Sequence, residues 1–362
     1  MVLVQELPAS RVVFGNGALT QVPDEIGRLG HHAVMLIAGP SARPHADRVA
    51  SALGPRLAVR MDRVAQHVPE QLAEEALRLA REAGADGLVS IGGGSATGLA
   101  KAVARTAHLP ILAVPTTYAG SEMTPVWGVT AGGRKATGRD PAVQPRTVVY
   151  DPLLTLSLPR PVTAASGMNA AAQCVAALCA PDAGPVTALL AEEGLRELAA
   201  ALPSCTELPW DLPARAKALV GAWLAGLAVG GVETGVHHKV CHVVGGSFGL
   251  PHADVHAAVL PHAAALDATA APEGLARVAR VLGAGEATGD AAGGLWDLAV
   301  RTGAPTSLRE LGLRRRDVDV AAGLVAATLP ASRRVDAADV AALLRAAWDG
   351  DRPVSGQQRK AQ

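Results

Sequence analysis

The chain has 362 residues, of which 49% are hydrophobic and 18% charged, and its 33 basic and 33 acidic side chains cancel to a formal net charge of zero. That length suits one large domain or two domains with a cleft between them, and the composition is that of a folded, globular chain. The charge balance gives no reason to expect a nucleic acid or a membrane surface as partner.

The N-terminal segment MVLVQELPASRVVFG has no basic region followed by an apolar core, so neither a signal peptide nor a membrane span is expected. Cys174, Cys179, Cys205 and Cys241 form no C-x-x-C pair. This sparse usage fits a reducing compartment and a cytoplasmic protein. HAVMLIAG (32–39) reads as a buried strand and PEQLAEEALRLAREAG (69–84) as an amphipathic helix with Pro69 early and Gly84 at its end. DGLVSIGGGS is a strand running into a glycine turn, followed by the helix ATGLAKAVARTA and the strand LPILAVPTT. Strands alternating with helices predict a parallel sheet covered on both faces. WGVTAGGRKATG (127–138) reads as a hairpin and TVVYDP (147–152) as a further strand. Beyond residue 156 the texture becomes Ala- and Leu-rich, with helices expected near 161–180, 185–201, 212–230, 232–246, 256–268, 287–302 and 336–348. The expected organisation is an α/β nucleotide-binding domain over 1–155 and an all-α domain over 156–362, with the site between them.

Gly92, Gly93, Gly94 and Ser95 follow a strand and open a helix. Glycines admit close approach of backbone N–H groups to a phosphate, and the helix N-terminus favours negative charge. A ligand-free turn would have the same sequence. A second polar loop, PTTYAGSEMTP (115–125), places Thr116, Thr117 and Ser121 just past the next strand, where open α/β sheets bind ligands. At the end of the 32–39 strand, Gly39 stands where an NAD-selective site would place an acidic residue, with Ser41 and Arg43 nearby. That arrangement leaves room for a 2′-phosphate, so either NADH or NADPH is expected as cofactor.

GGGSATGLAK, PTTYAGSEMTPVWGVT, KATGRDPAVQPRTVVYDP, SGMNAAAQCVAAL and HHKVCHVVGGSFGLPHADVHAAVLPHA occur in this order. Together they resemble the iron-containing alcohol dehydrogenase superfamily, and more narrowly its maleylacetate reductase branch. The resemblance implies a dinucleotide held by Gly92, Gly93, Gly94, Ser95, Thr116, Thr117 and Ser121. It also implies a homodimer and a role in aromatic catabolism. Many superfamily members have Asp where this chain has Gly98, and the branch resembles this chain in having Gly there. Metal-dependent relatives use an Asp and a His on one helix and two later His. The later pair matches His238 and His252, and a histidine near the nicotinamide matches His242. The first pair is replaced here by Asn169 and Gln173. Amides are weak ligands for iron or zinc, so no metal is expected. The branch tends to have Glu and Tyr where this chain has Ala176 and Cys179, and Asp is common at Gly249.

Six of the eleven histidines lie between 237 and 262, a concentration that points to a site. Within it, His256 and His262 read as structural and His237 as solvent-facing. The expected reaction is reduction of the C=C bond of maleylacetate, a small dicarboxylate, to 3-oxoadipate. Hydrogen-bond donors can stabilise the enolate without a metal. His238 and His252 are expected to donate to or bind substrate, His242 to relay the proton, and Asn169 and Gln173 to orient substrate. Lys101, Lys135, Arg139, Arg146 and Lys239 are the candidate partners of the carboxylates. The competing readings are a metal-dependent alcohol dehydrogenase, a dehydroquinate synthase-like lyase, and a diverged member acting on another carbonyl or enone substrate or serving without catalysis.

Overall fold

A computed structural model describes residues 10–132, 134–283, 290–329 and 335–353. The N-terminal segment 1–9, the expected helix start at 287–289 and the polar tail 355–362 lie outside the described residues. Six parallel strands form one sheet in the order β1 (Arg11–Phe14), β8 (Thr147–Tyr150), β5 (Ile111–Pro115), β4 (Gly87–Gly92), β2 (Val34–Ala38), β3 (Leu57–Met61). The remaining strands, β6 (Val126–Ala131) and β7 (Arg134–Arg139), pair as an antiparallel hairpin apart from the sheet.

All five residues of β2 are buried, and its two faces belong to different cores. Met35 and Ile37 pack with the residues of α3 (Glu70–Glu82) and α4 (Gly94–Ala107). Val34, Leu36 and Ala38 pack with those of α1 (Val22–Arg28) and α2 (Arg43–Leu53). This is the period-2 alternation of a strand covered on both sides, and it explains why these strands are continuous apolar runs.

Nine helices follow in the described C-terminal residues. They are α5 (Arg160–Leu178), α6 (Pro185–Glu207), α7 (Leu212–Gly230), α8 (Val236–Phe248), α9 (His252–Leu266), α10 (Pro272–Val281), α11 (Ala291–Thr302), α12 (Val318–Ala326) and α13 (Ala337–Asp349). Helix α6 runs six residues past its expected end, through Pro203. Helices α10 and α12 were not expected. Helices α8 and α9 both differ from their expected bounds by a few residues, because Gly249 caps α8 in a left-handed conformation (φ 67°). Helix α7 is long and apolar enough to cross a membrane by length and composition alone. It carries Arg215 and Lys217, so it is not an uninterrupted apolar run, and it packs against α5 and α6 as a core helix.

With only 2% aromatic residues, the helical core is built by close approach of small ones. A side chain at Gly221 would meet Gly194 O at 2.9 Å, and one at Gly167 would overlap Leu202. Gly226 of α7 lies against the backbone of Gly120, so any Cβ there would overlap Gly120 O. The helical core therefore braces the loop after β5 from below. Gly226→Ala is expected to force this loop and α7 apart and lower stability by about 1–3 kcal/mol. A thermal melt of the variant beside the parent protein checks it.

Candidate active site

A cleft of about 1060 Å³ opens at the C-terminal ends of β2, β4 and β5 and is closed on its far side by α5, α8 and α9. Parallel α/β sheets bind ligands at these strand ends. Gly92, Gly93, Gly94 and Ser95 line it, as do Gly39, Ser41, Thr117 and Ser121. Helix α4 begins in the turn with no side-chain cap, which leaves its first N–H groups free for a phosphate. Gly93 has no alternative, because a Cβ there would lie 2.9 Å from Thr117 Cγ2. Gly98 likewise makes room for Val68, whose Cγ2 lies 2.9 Å from where a Cβ would sit. These features fit a dinucleotide diphosphate. Thr116 is not on the cleft wall: it is buried, and its N–H donates to Gly92 O at 3.0 Å. Arg43 is exposed and also outside the lining.

Lys101 turns out to be structural. Its Nζ is fully enclosed and donates to Ser121 O (2.6 Å), Thr124 O (2.6 Å), Thr124 Oγ1 (3.1 Å) and Val126 O (2.9 Å). Burial pulls its ammonium down to about 7, and the neighbouring Glu122 opposes that pull. Arg139 is spent on Gly230 O and Val232 O. Arg146 is exposed away from the cleft. Lys135 and Lys239 remain on the cleft wall. Lys135 is largely enclosed, and burial lowers its pKa. Its charge in turn acts on His67, His242 and His252. Gly128 and Gly246 flank the lysine, and a Cβ on either would sit 3.0 Å from Cε or 3.4 Å from Cβ of Lys135. Among the described residues it has no ion-pair partner.

Five histidines from α8 and α9 stand ring to ring. His252 and His256 have centroids 4.4 Å apart, His238 and His256 5.0 Å, and His242 and His252 stack at 6.0 Å. His67, from the loop before α3, joins the group beside His252 at 6.3 Å and pairs through Nε2 with Leu250 O. His67 gave no sequence signal; its left-handed backbone (φ 62°) is the local mark of the constraint. His237 is not solvent-facing as expected but 5% exposed, enclosed between α8 and α9. Burial lowers the imidazolium of His237 to about 4 and those of His238, His242, His252 and His256 well below the usual value, reinforced by neighbouring imidazoles and, for His242 and His252, by Lys135. The group is neutral.

Asn169 Nδ2 and Gln173 Nε2 both donate to Ala119 O, at 3.2 and 2.7 Å. Their amides therefore hold the loop after β5, and both residues also line the cleft, where they were expected to orient substrate. Asn169 Oδ1 and Gln173 Oε1 are buried without partners. Gln173 Oε1 is turned onto Gly120, where any Cβ would overlap it. The donor set thus lacks a carboxylate, and Gln173 faces backbone on both ends of its amide. It does not fit an iron or zinc ion. His237, Cys241 and His256 also come within 4.8 Å of one another, but His237 Nε2 is engaged with His256 O at 3.2 Å. Ala176 and Cys179, where the resemblance placed a departure from the branch, line a second cavity of about 500 Å³ behind α5 and not the cleft.

Neutral buried imidazoles make the fold acid-sensitive. An unfolded histidine takes up its proton near pH 6.5, whereas His237 does so in the folded chain only at about 4. The unfolded state binds more protons between these values, so stability falls as pH falls from 6.5 to 4. His237 alone accounts for a loss of about 3 kcal/mol by pH 4. Denaturant midpoints measured across this range are expected to fall steadily, and a flat profile would contradict the neutral assignment.

The family model for the iron-containing alcohol dehydrogenases matches residues 9–152, and that for the C-terminal part of the same family matches 163–348. A maleylacetate reductase of Burkholderia cepacia is 48% identical over 344 residues, covering 95% of this chain and 97% of its own length. Maleylacetate reductase 2 of Cupriavidus pinatubonensis is 47% identical over the same span, covering 96% of its own length. The crystal structure of maleylacetate reductase from Agrobacterium tumefaciens superposes with a TM-score of 0.90 at 41% identity, covering 98% of this chain and all of that one. With both parts of the family model matched and the fold shared along nearly its whole length, the chain belongs to the iron-containing alcohol dehydrogenase family, in the maleylacetate reductase branch.

Proposed function

We propose that this protein is an NAD(P)H-dependent reductase that saturates the C=C bond of maleylacetate to give 3-oxoadipate, without a metal. The observation that carries this reading is Lys135, a cation without an ion-pair partner among the described residues, enclosed beside a neutral group of imidazoles in a cleft that also holds a phosphate-binding turn. We place the nucleotide-binding half at residues 1–155 and the helical half at 156–362. The same reading puts a homodimer in the cytoplasm.

The turn Gly92–Ser95 and the N-terminus of α4 hold the dinucleotide diphosphate, with Thr117 and Ser121 beside it. Gly39 and Ser41 leave space for a 2′-phosphate, so NADPH is accepted as well as NADH. When bound, the reduced nicotinamide supplies a hydride to the alkene carbon beta to the ketone. Lys135, with Lys239 at the cleft wall, binds a substrate carboxylate. The enclosed site strengthens that interaction relative to water. His242 and His252 are neutral and stacked at 6.0 Å. A neutral imidazole carries one N–H and one free nitrogen, so His242 acts as a relay: its N–H proton passes to the carbon alpha to the ketone as the enolate collapses, while its other nitrogen takes up a proton from solvent, and the ring ends neutral. Overall one substrate, one reduced cofactor and one proton give 3-oxoadipate and oxidised cofactor.

Chelator-stripped protein assayed with maleylacetate and NADH or NADPH is expected to turn over at the rate of untreated protein. Activity that is lost on stripping and restored by iron or zinc would favour a metal-dependent dehydrogenase, and a large preference for NADH would exclude the 2′-phosphate reading. Lys135→Met is expected to raise KM for maleylacetate by about 10-fold or more, the value of a hydrogen bond to a charged group, with KM for NADH unchanged. A change confined to the cofactor constant would instead place Lys135 at the dinucleotide.

A further inference from the structure

His237 has directed contacts at both of its ring nitrogens. Its Nε2 lies 3.2 Å from His256 O, and its Nδ1 lies 3.4 Å from His238 Nδ1. The opposite ring orientation would put carbon at both contacts. Nε2 also lies 3.5 Å from Cys241 Sγ, but the carbonyl is the nearer partner and only accepts, so Nε2 carries the proton and the thiol contact is the weaker one. In a neutral ring Nδ1 is then a lone pair. The Nδ1 of His238 faces that lone pair and must carry the proton of its own ring. His238 lines the cleft, and its Nε2 has no hydrogen-bond partner among the described residues.

We propose that His237 is a positioning residue: it fixes the tautomer of His238 so that Nε2 meets the cleft as an unprotonated acceptor. The proposal builds on the reading of the cleft as the catalytic site. It reverses the donor role that the sequence suggested for His238. His238 accepts a hydrogen bond from a proton-bearing group in the cleft, and the proton that the reaction consumes comes from His242 or His252. Burial holds His237 neutral, its imidazolium lowered to about 4, which keeps the chain of contacts in this sense. The buried carbonyl of His256 is the fixed point, so the tautomer is set by backbone and does not depend on a bound ligand.

The test is nitrogen-15 NMR of the histidine rings in the whole protein, with His238 assigned by loss of its signals in His238→Gln. The parent protein is expected to show His238 neutral and protonated at Nδ1, the reverse of the tautomer usual in water. His237→Leu removes the acceptor and is expected to return His238 to the Nε2-protonated form, with kcat for maleylacetate reduced by about 10–100-fold and cofactor KM unchanged. His237→Asn keeps an oxygen near the Nδ1 position and is expected to restore the Nδ1-protonated signature and most of kcat. A His238 protonated at Nε2 in the parent protein overturns the proposal, as does an unchanged tautomer in His237→Leu or equal impairment of the two variants. If His237→Leu does not fold, the parent spectrum still decides. The spectra need no substrate, so a protein that failed to reduce maleylacetate would refute the function and leave the tautomer standing or falling on its own.

Discussion

The loop between β5 and β6 is held by a single buried ammonium, and both walls of the cleft depend on that loop. Lys101 reaches it from α4 and gathers the carbonyls of Ser121, Thr124 and Val126. Carbonyls brought together in this way repel one another and would be orphaned in a buried turn. The ammonium satisfies them together and fixes the curvature of the loop. From the opposite side, Asn169 and Gln173 converge on Ala119 O, and Gly226 lets α7 support Gly120. The strand-end side of the cleft, which includes Thr117 and Ser121, is thereby tied to the helix that carries Asn169 and Gln173.

That tie explains what the two amides do in this chain. In the metal-dependent pattern to which the sequence was compared, an Asp and a His at these positions would face an ion. Here each amide spends its N–H on backbone, and Gln173 turns its carbonyl onto Gly120. Burial holds the neighbouring imidazoles neutral. A group of neutral rings in contact can hold protons in defined places, because each ring has one donor and one acceptor. The positive charge at the cleft wall comes from Lys135 and Lys239, together with Lys101 and Arg139, whose donors are taken up by backbone carbonyls.

Much of the fold was legible because its signals are local. The buried strand of 32–39 is an unbroken apolar run with Gly39 at its end, and the GGGS turn could only join a strand to a helix. The bounds of α8 and α9 were harder to place. A helix buried on most of its circumference has no amphipathic stripe to mark its ends, and α9 buries His256 and His262 beside alanine and leucine. The same uniformity hid His237. Adjacent histidines on a surface helix point in different directions, so one was expected outside, but α8 is covered by α9 on one side and α12 on another. Lys101 was misread for a related reason: a lysine is assigned to solvent or ligand by default, and only the folded loop shows three backbone oxygens awaiting it.

The departures from the family pattern also sort themselves by position. Ala176 and Cys179 face the second cavity. Gly249 serves as a left-handed helix cap, where an unbranched glycine carries no steric cost. Gly98 yields space to Val68. Of the histidine group, the second cavity includes only His237 in its lining among the described residues. Gln173 is the departure that reaches the site, and it does so by holding Ala119 O and packing on Gly120, a task that an amide performs with one donor and no charge. An imidazole there could donate to the same carbonyl, but it would add another buried titratable ring to a group already kept neutral at the expense of acid stability. The substitution therefore removes a titratable ring while keeping the one hydrogen bond that the loop requires.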